Sequence, residues 1–210
     1  MAEFHLYCFA QSGNAYKAAL MLELTDCDWG SRFVDFFNGE TRTPEYRRLN
    51  VMGEVPVLVH GETKLSQSGA ILDYLAGYTG MFGWRDEAER REILRWLLYD
   101  NYKLSSYTGA YRFQRNFATD SDPAVRDFLR KRMTTAFSVL SAHLADNDWI
   151  VADRPTIADL SLCGYLFYQD EIDVDFGQSH PSIQRWLDGI RNMAGWQHPY
   201  DLMPGHPIPK

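Results

Sequence analysis

Three short stretches combine residue types that could do chemistry. Ser12, Gly13 and Asn14 stand between a short apolar run and a helical pattern, so they form the opening turn of a helix. A hydroxyl and an amide there satisfy orphan backbone N–H groups, and capping alone is sufficient reason for them. The same turn carries about half a positive charge and favours a bound anion, a thiolate included. Ser12 could donate to that thiolate through its hydroxyl, and Asn14 through its amide. Val55-Pro56 stands at the entry of a strand, either as an edge-strand proline or as a cis bond that frees the preceding backbone for outside hydrogen bonding. Gln67-Ser68 opens another helix after Leu65-Ser66. Ser66 or Gln67 could cap it, and its N–H groups with the Ser68 hydroxyl could equally anchor a carboxylate. All three stretches lie at a strand's carboxyl end or a helix's amino end, the edge where open α/β sheets bind ligands.

Other chemistries find little support. Cys8, Cys27 and Cys163 are odd in number and contain no C-x-x-C, which speaks against a disulfide framework or a redox pair. The six histidines show no H-x-x-x-H spacing, so no metal is expected. A net charge of -7, from 21 basic against 28 acidic residues, argues against nucleic acid as a partner. Arg90-Arg91 and Arg130-Lys131-Arg132 read as solvated helix faces. The apolar run from Ala18 ends at Glu23, far short of a membrane span, and Met1-Ala2-Glu3 lacks the basic start of a secretion signal. The cytoplasm is the expected compartment.

The elements that must hold these residues follow from periodicity. With 45% hydrophobic and 23% charged residues, 210 residues make an ordinary globular chain of one large domain or two small ones. A strand is expected over 4–9, a helix from 15 to 26, a second strand over 29–37, a short helix from the Thr43 cap and Pro44, a strand pair over 55–59 and 64–66, and a helix over 67–76. That order is βαβαββα. Residues 77–84 hold three glycines and read as a linker. Beyond them helices are expected over 87–117, 123–144, 156–168 and 181–193, with an irregular tail over 196–210 that contains four prolines. Thr156-Ile157-Ala158-Asp159 is a capping box, a folding element rather than a catalytic one. Seven of the 30 aromatic residues, Trp96, Tyr99, Tyr102, Tyr107, Tyr111, Phe113 and Phe117, fall on the helix over 87–117, where they could be core or could line an apolar pocket.

The βαβαββα order, the Ser-x-Asn turn, Glu54-Val55-Pro56-Val57-Leu58, Gln67 to Leu75 and the helical second half together resemble the cytosolic glutathione transferases over nearly the full chain. The resemblance implies a thioredoxin-like, glutathione-binding domain over 1–79, a linker over 80–85 and an all-α helical bundle over 86–210. It implies glutathione as substrate, no metal, and a homodimer that conjugates a small hydrophobic electrophile. Ser12 matches the catalytic serine of the serine-type classes, zeta, theta and delta or nu-like, and Asn14 the functional Asn of some bacterial members. Val55 would pair its backbone with the cysteinyl part, Gln67 and Ser68 would hold the γ-glutamyl end, and Glu54 would also touch the tripeptide. Tyr107 and Tyr111 would border the electrophile pocket, and Asp100 would reach across a dimer interface to the glutathione amine. No Tyr or Cys occupies the turn, because Tyr7 and Cys8 fall within the first strand. The Ser-Gly-Asn turn lacks the second Ser and the Cys of the zeta pattern, which lowers the expectation of isomerase chemistry. The alternatives are a transferase-like protein-binding module and a glutathione-dependent disulfide or peroxide reductase.

Overall fold

The computed structural model describes residues 2–208. It divides into two compact units, one running to Met81 and resuming at Met193, the other Phe82–Asn192.

The first unit contains β1 (Phe4–Cys8), α1 (Gly13–Leu24), β2 (Trp29–Phe33), α2 (Pro44–Leu49), β3 (Val57–His60), β4 (Thr63–Ser66) and α3 (Ser68–Thr79), the βαβαββα order expected. The four strands form one sheet in the order β2-β1-β3-β4. β1 runs parallel to β2 and antiparallel to β3, and β4 runs antiparallel to β3. Alternation in β1 sends Phe4, Leu6 and Cys8 into the core. Thr43 caps α2 by accepting from the Tyr46 N–H at 3.2 Å, with Pro44 in its first turn. β2 stops at Phe33, four residues short of the expected end. The Asp35 N–H donates to Glu40 Oε2 at 2.6 Å and the Phe36 N–H to the Val34 carbonyl, so the chain turns off the sheet although its apolar alternation continues.

The second unit is helical: α4 (Glu87–Tyr99), α5 (Ser105–Asn116), α6 (Pro123–Leu144), α7 (Ile157–Leu162), and the short α8 (Gln169–Ile172), α9 (Phe176–Ser179) and α10 (Pro181–Arg191). The single helix expected over 87–117 is interrupted by a π turn at Asp100–Leu104. The wider turn shifts the register of everything after it, so the seven aromatics do not share one face. Trp96 and Tyr111 are buried while Tyr102 and Phe113 are exposed. The helix expected over 156–168 ends at Leu162. Gly164, a poor helix former, follows, and the bonding changes to three-residue turns, Gly164 N–H to Ser161 O and Leu166 N–H to Cys163 O.

The tail departs most from expectation. It belongs to the first unit, not to the helical one, and is not wholly irregular, since α11 (Pro199–Leu202) forms within it. The prolines limit the bonds the segment can make to itself, and its carbonyls find donors elsewhere. Tyr16 Oη donates to Gln197 O at 2.8 Å, the Ala10 N–H to Pro204 O at 2.7 Å, and Gln11 Nε2 to Gly205 O at 2.9 Å.

The capping box forms as read. Asp159 is fully buried and accepts four bonds, from the Thr156 N–H and hydroxyl on Oδ2 and from the Ile150 N–H and Trp186 Nε1 on Oδ1. Burial pushes its carboxyl above the usual range, and the four donors, which require an ionised acceptor, oppose that. Thr156→Ala is expected to cost about 1–2 kcal/mol in chemical denaturation. Asp159→Asn is expected to cost more, about 3 kcal/mol or above, because either orientation of the amide turns its NH2 towards two donors.

Candidate functional site

The sheet register gathers the three stretches. Tyr7 pairs with Val57, and Val57 pairs with Ser66, so the exits of β1 and β4 and the entry of β3 lie in one row at one end of the sheet. Ser12 follows the first, Val55-Pro56 precedes the second, and Gln67-Ser68 follows the third. Three strands at about 4.8 Å spacing spread these groups over roughly 10 Å, the span of an extended tripeptide.

Ser12 is buried at the N-cap of α1, and its Oγ accepts from the Ala15 N–H at 3.1 Å. That bond uses a lone pair and leaves the hydroxyl proton to donate. Capping and donation are therefore compatible in one side chain. Asn14 lies in the same turn, and its Oδ1 is buried without a hydrogen-bond partner. A half-turn of the amide brings Nδ2 to that position, where it can donate to an anion.

The Val55–Pro56 bond is cis. The residue before it is firmly held: the Glu54 carbonyl accepts from Tyr46 Oη at 3.0 Å and from Asn50 Nδ2 at 2.8 Å. Burial pushes the Tyr46 phenol far above its usual range, so it stays a donor. The Glu54 carboxylate takes Gln67 Nε2 at 2.9 Å. Gln67 occupies the N-cap position of α3 but makes no capping bond with its side chain, which overturns capping as the reason for its presence. Its φ of 69° lies in the left-handed region, a costly conformation for a residue with a Cβ. Ser68 is buried at the first position of α3, where the dipole favours an anion.

One expected residue is placed differently from the reading. Asp100 is buried in its own unit, accepting from Ser105 Oγ at 2.7 Å and Ser161 Oγ at 2.5 Å, so it is not presented to a glutathione amine. Tyr111 is buried and Tyr107 half-buried on α5. One feature escaped the sequence reading. Phe9, three residues before Ser12, stacks on Phe36 at 4.8 Å, and Phe37 packs edge-on to both. The FVDFF alternation is the only trace of this patch, and it reads as strand. Among the described residues no cluster of His, Cys, Asp or Glu could hold a metal ion.

The chain matches the family model for the glutathione S-transferase N-terminal domain over residues 2–77 and that for the C-terminal domain over residues 94–193. It superposes with a TM-score of 0.87 on a possible glutathione S-transferase from Rhodopseudomonas palustris, 30% identical, over 93% of this chain and 89% of that one. The chain belongs to the glutathione S-transferase family. Among curated relatives it is 27% identical over 191 residues to the disulfide-bond oxidoreductase YfcG of Escherichia coli, covering 88% of each chain. It is 24% identical to Protein URE2 of Candida albicans over 87% of this chain, spanning 65% of that protein. Membership supports glutathione binding by this chain, and transferase chemistry is the activity of the family. The thioredoxin-like sheet with a helical second half is the family's fold.

Of the three cysteines, Cys8 and Cys163 are buried, and burial pushes the Cys8 thiol up to about 12. Only the thiolate reacts. In native protein at neutral pH a thiol reagent is expected to label Cys27 first, with Cys8 and Cys163 labelled only after denaturation. Fast labelling of Cys8, read by mass spectrometry, would contradict its place in the core.

Proposed function

We propose that this protein is a serine-type glutathione transferase that activates the glutathione thiol for attack on a small hydrophobic electrophile. The observation that carries it is the shared row of Tyr7, Val57 and Ser66, which sets an anion-ready turn, a held Val-Pro backbone and a helix N-terminus a tripeptide's length apart. In this reading Ser68 and the α3 N–H groups take the γ-glutamyl carboxylate, Gln67 and Glu54 its ammonium side, and the Val55 backbone the cysteinyl peptide. The thiol then lies over the α1 turn. It gives its proton to solvent, the thiolate is held by the Ser12 hydroxyl with Asn14 assisting, and its sulfur displaces a leaving group from the electrophilic carbon. Lowering a thiol of pKa about 8.5 by two units needs about 2.7 kcal/mol in favour of the anion, which one charge-assisted bond and a helix N-terminus supply. The Phe9-Phe36-Phe37 patch supplies an apolar wall for the electrophile.

A homodimer goes with this reading. Leu94, Leu98 and Tyr102 recur every four residues and are 52%, 62% and 66% exposed, an apolar helix face open to a second copy. A cytoplasmic location fits three cysteines that are not joined to one another in disulfides. The relation to a disulfide-bond oxidoreductase favours a second reading, glutathione-dependent disulfide reduction. With no cysteine at the turn, glutathione itself would supply the attacking thiolate.

Ser12→Ala is expected to lower kcat with a chloronitrobenzene substrate about 10- to 100-fold, the worth of one bond to a charged group. It should also raise the pH midpoint of bound thiolate, with Asn14→Ala a smaller effect of the same sign. Unchanged turnover in Ser12→Ala sinks the serine assignment. Turnover of a small disulfide without conjugation selects the reductase, and loss of both with retained folding selects a binding module. Leu98→Glu is expected to convert a two-chain species to a single chain in sedimentation.

A further inference from the structure

We infer that the C-terminal tail is a positioning element of the thiol turn, with Pro204 and Gly205 holding the loop that sets Ser12. The loop between β1 and α1 is only Phe9 to Ser12, and Ala10, Gln11 and Ser12 are all buried. Its main chain is tied by the Ser12 N–H to Phe9 O at 3.0 Å and by the Ala10 N–H to Pro204 O at 2.7 Å. The second tie crosses to the tail, and Gln11 Nε2 adds a third at Gly205 O, 2.9 Å away. From the other side α1 holds Ser12, the Ala15 N–H donating to its Oγ at 3.1 Å and the Tyr16 N–H to its carbonyl at 2.9 Å.

The tail is built to deliver those carbonyls. Gln197 anchors its start on α1, accepting from Tyr16 Oη at 2.8 Å and donating to Glu23 Oε1 at 3.0 Å. His198 caps α11, Met203 is buried, and the rings of Tyr200 and His206 stack at 3.7 Å across the segment that carries Pro204 and Gly205. Gly205 has a φ of +91°, and a Cβ there would overlap the ring of Phe33. Phe33 ends β2, paired with Cys8 at the end of β1. Only glycine takes that backbone against that ring, so the latch is specified by residue type as well as by contact.

The chemical consequence rests on Ser12 as the thiolate donor. A hydroxyl's bond to an anion weakens steeply with misalignment, so a loop free to drift loses stabilisation of the charge before it loses binding of the tripeptide, whose γ-glutamyl end is held on α3.

Gly205→Ala in the full chain tests this, with Phe33→Ala/Gly205→Ala as its rescue, since removing the ring gives the new methyl room. Amide hydrogen exchange at Ala10 and Ser12 reads the latch itself, whatever chemistry the site performs. In Gly205→Ala it is expected to rise about tenfold or more while the middle of α1 keeps its protection. The pH midpoint of the bound glutathione thiol, read by thiolate absorbance, is expected to rise by about one unit, tenfold less thiolate below it. Glutathione affinity measured at a pH below both midpoints should stay within about twofold, and the double variant should recover about half of the midpoint shift. Unchanged exchange at Ala10 overturns the proposal. So does loss of protection throughout α1 in step with a lower unfolding midpoint, which would make the tail a fold element alone. A risen exchange with an unmoved thiol midpoint overturns the positioning role. If the wild-type protein leaves the glutathione thiol unshifted, the Ser12 assignment fails, and exchange at Ala10 then decides the latch by itself.

Discussion

The pairing of β1, β3 and β4 is the constraint on which the site depends. Tyr7, Val57 and Ser66 stand opposite one another, and the three stretches lie within a few residues of each. A slip of one residue would turn Phe4, Leu6 and Cys8, each at most 1% exposed, out of the core and would displace Val55-Pro56 from the turn at Ser12. Burial of three side chains therefore maintains the alignment of polar groups they never touch.

Most of the site's polarity is backbone or is aimed at backbone. Tyr46 and Asn50 spend their donors on the Glu54 carbonyl, and Ser12 accepts from the helix it opens. A capping hydroxyl costs the fold nothing when it also serves a ligand, because its lone pair and its proton point different ways. Asp159 shows the contrasting case. All four of its bonds run inside the second unit, which leaves its carboxylate wholly to stability.

Some of this was legible without coordinates. The alternation in β1, the Thr43-Pro44 start of α2 and the box at Thr156 are read correctly because each is a bargain struck among residues a few positions apart. The end of β2 was not, since the bond from the Asp35 N–H to Glu40 outweighs an apolar alternation that runs on to Phe37. The π turn at Asp100 left no periodic trace, because one added residue per turn is within the tolerance of any aromatic pattern. Gln67 resembles a cap in sequence and instead reaches to Glu54, thirteen residues earlier.

By itself the sequence determined the βαβαββα order of the first unit, the family and the three stretches able to meet an anion or a peptide. These are local properties of the chain, carried by periodicity and by side chains that bond their own neighbours. Only the tertiary structure decided that the three stretches share one row, that Asp100 is spent inside its own unit, and that the tail returns to the first unit. The bond from Gln11 to Gly205 joins residues 194 apart in the chain. A contact at that separation follows from burying and satisfying both ends at once, a condition that the residues around either end do not encode.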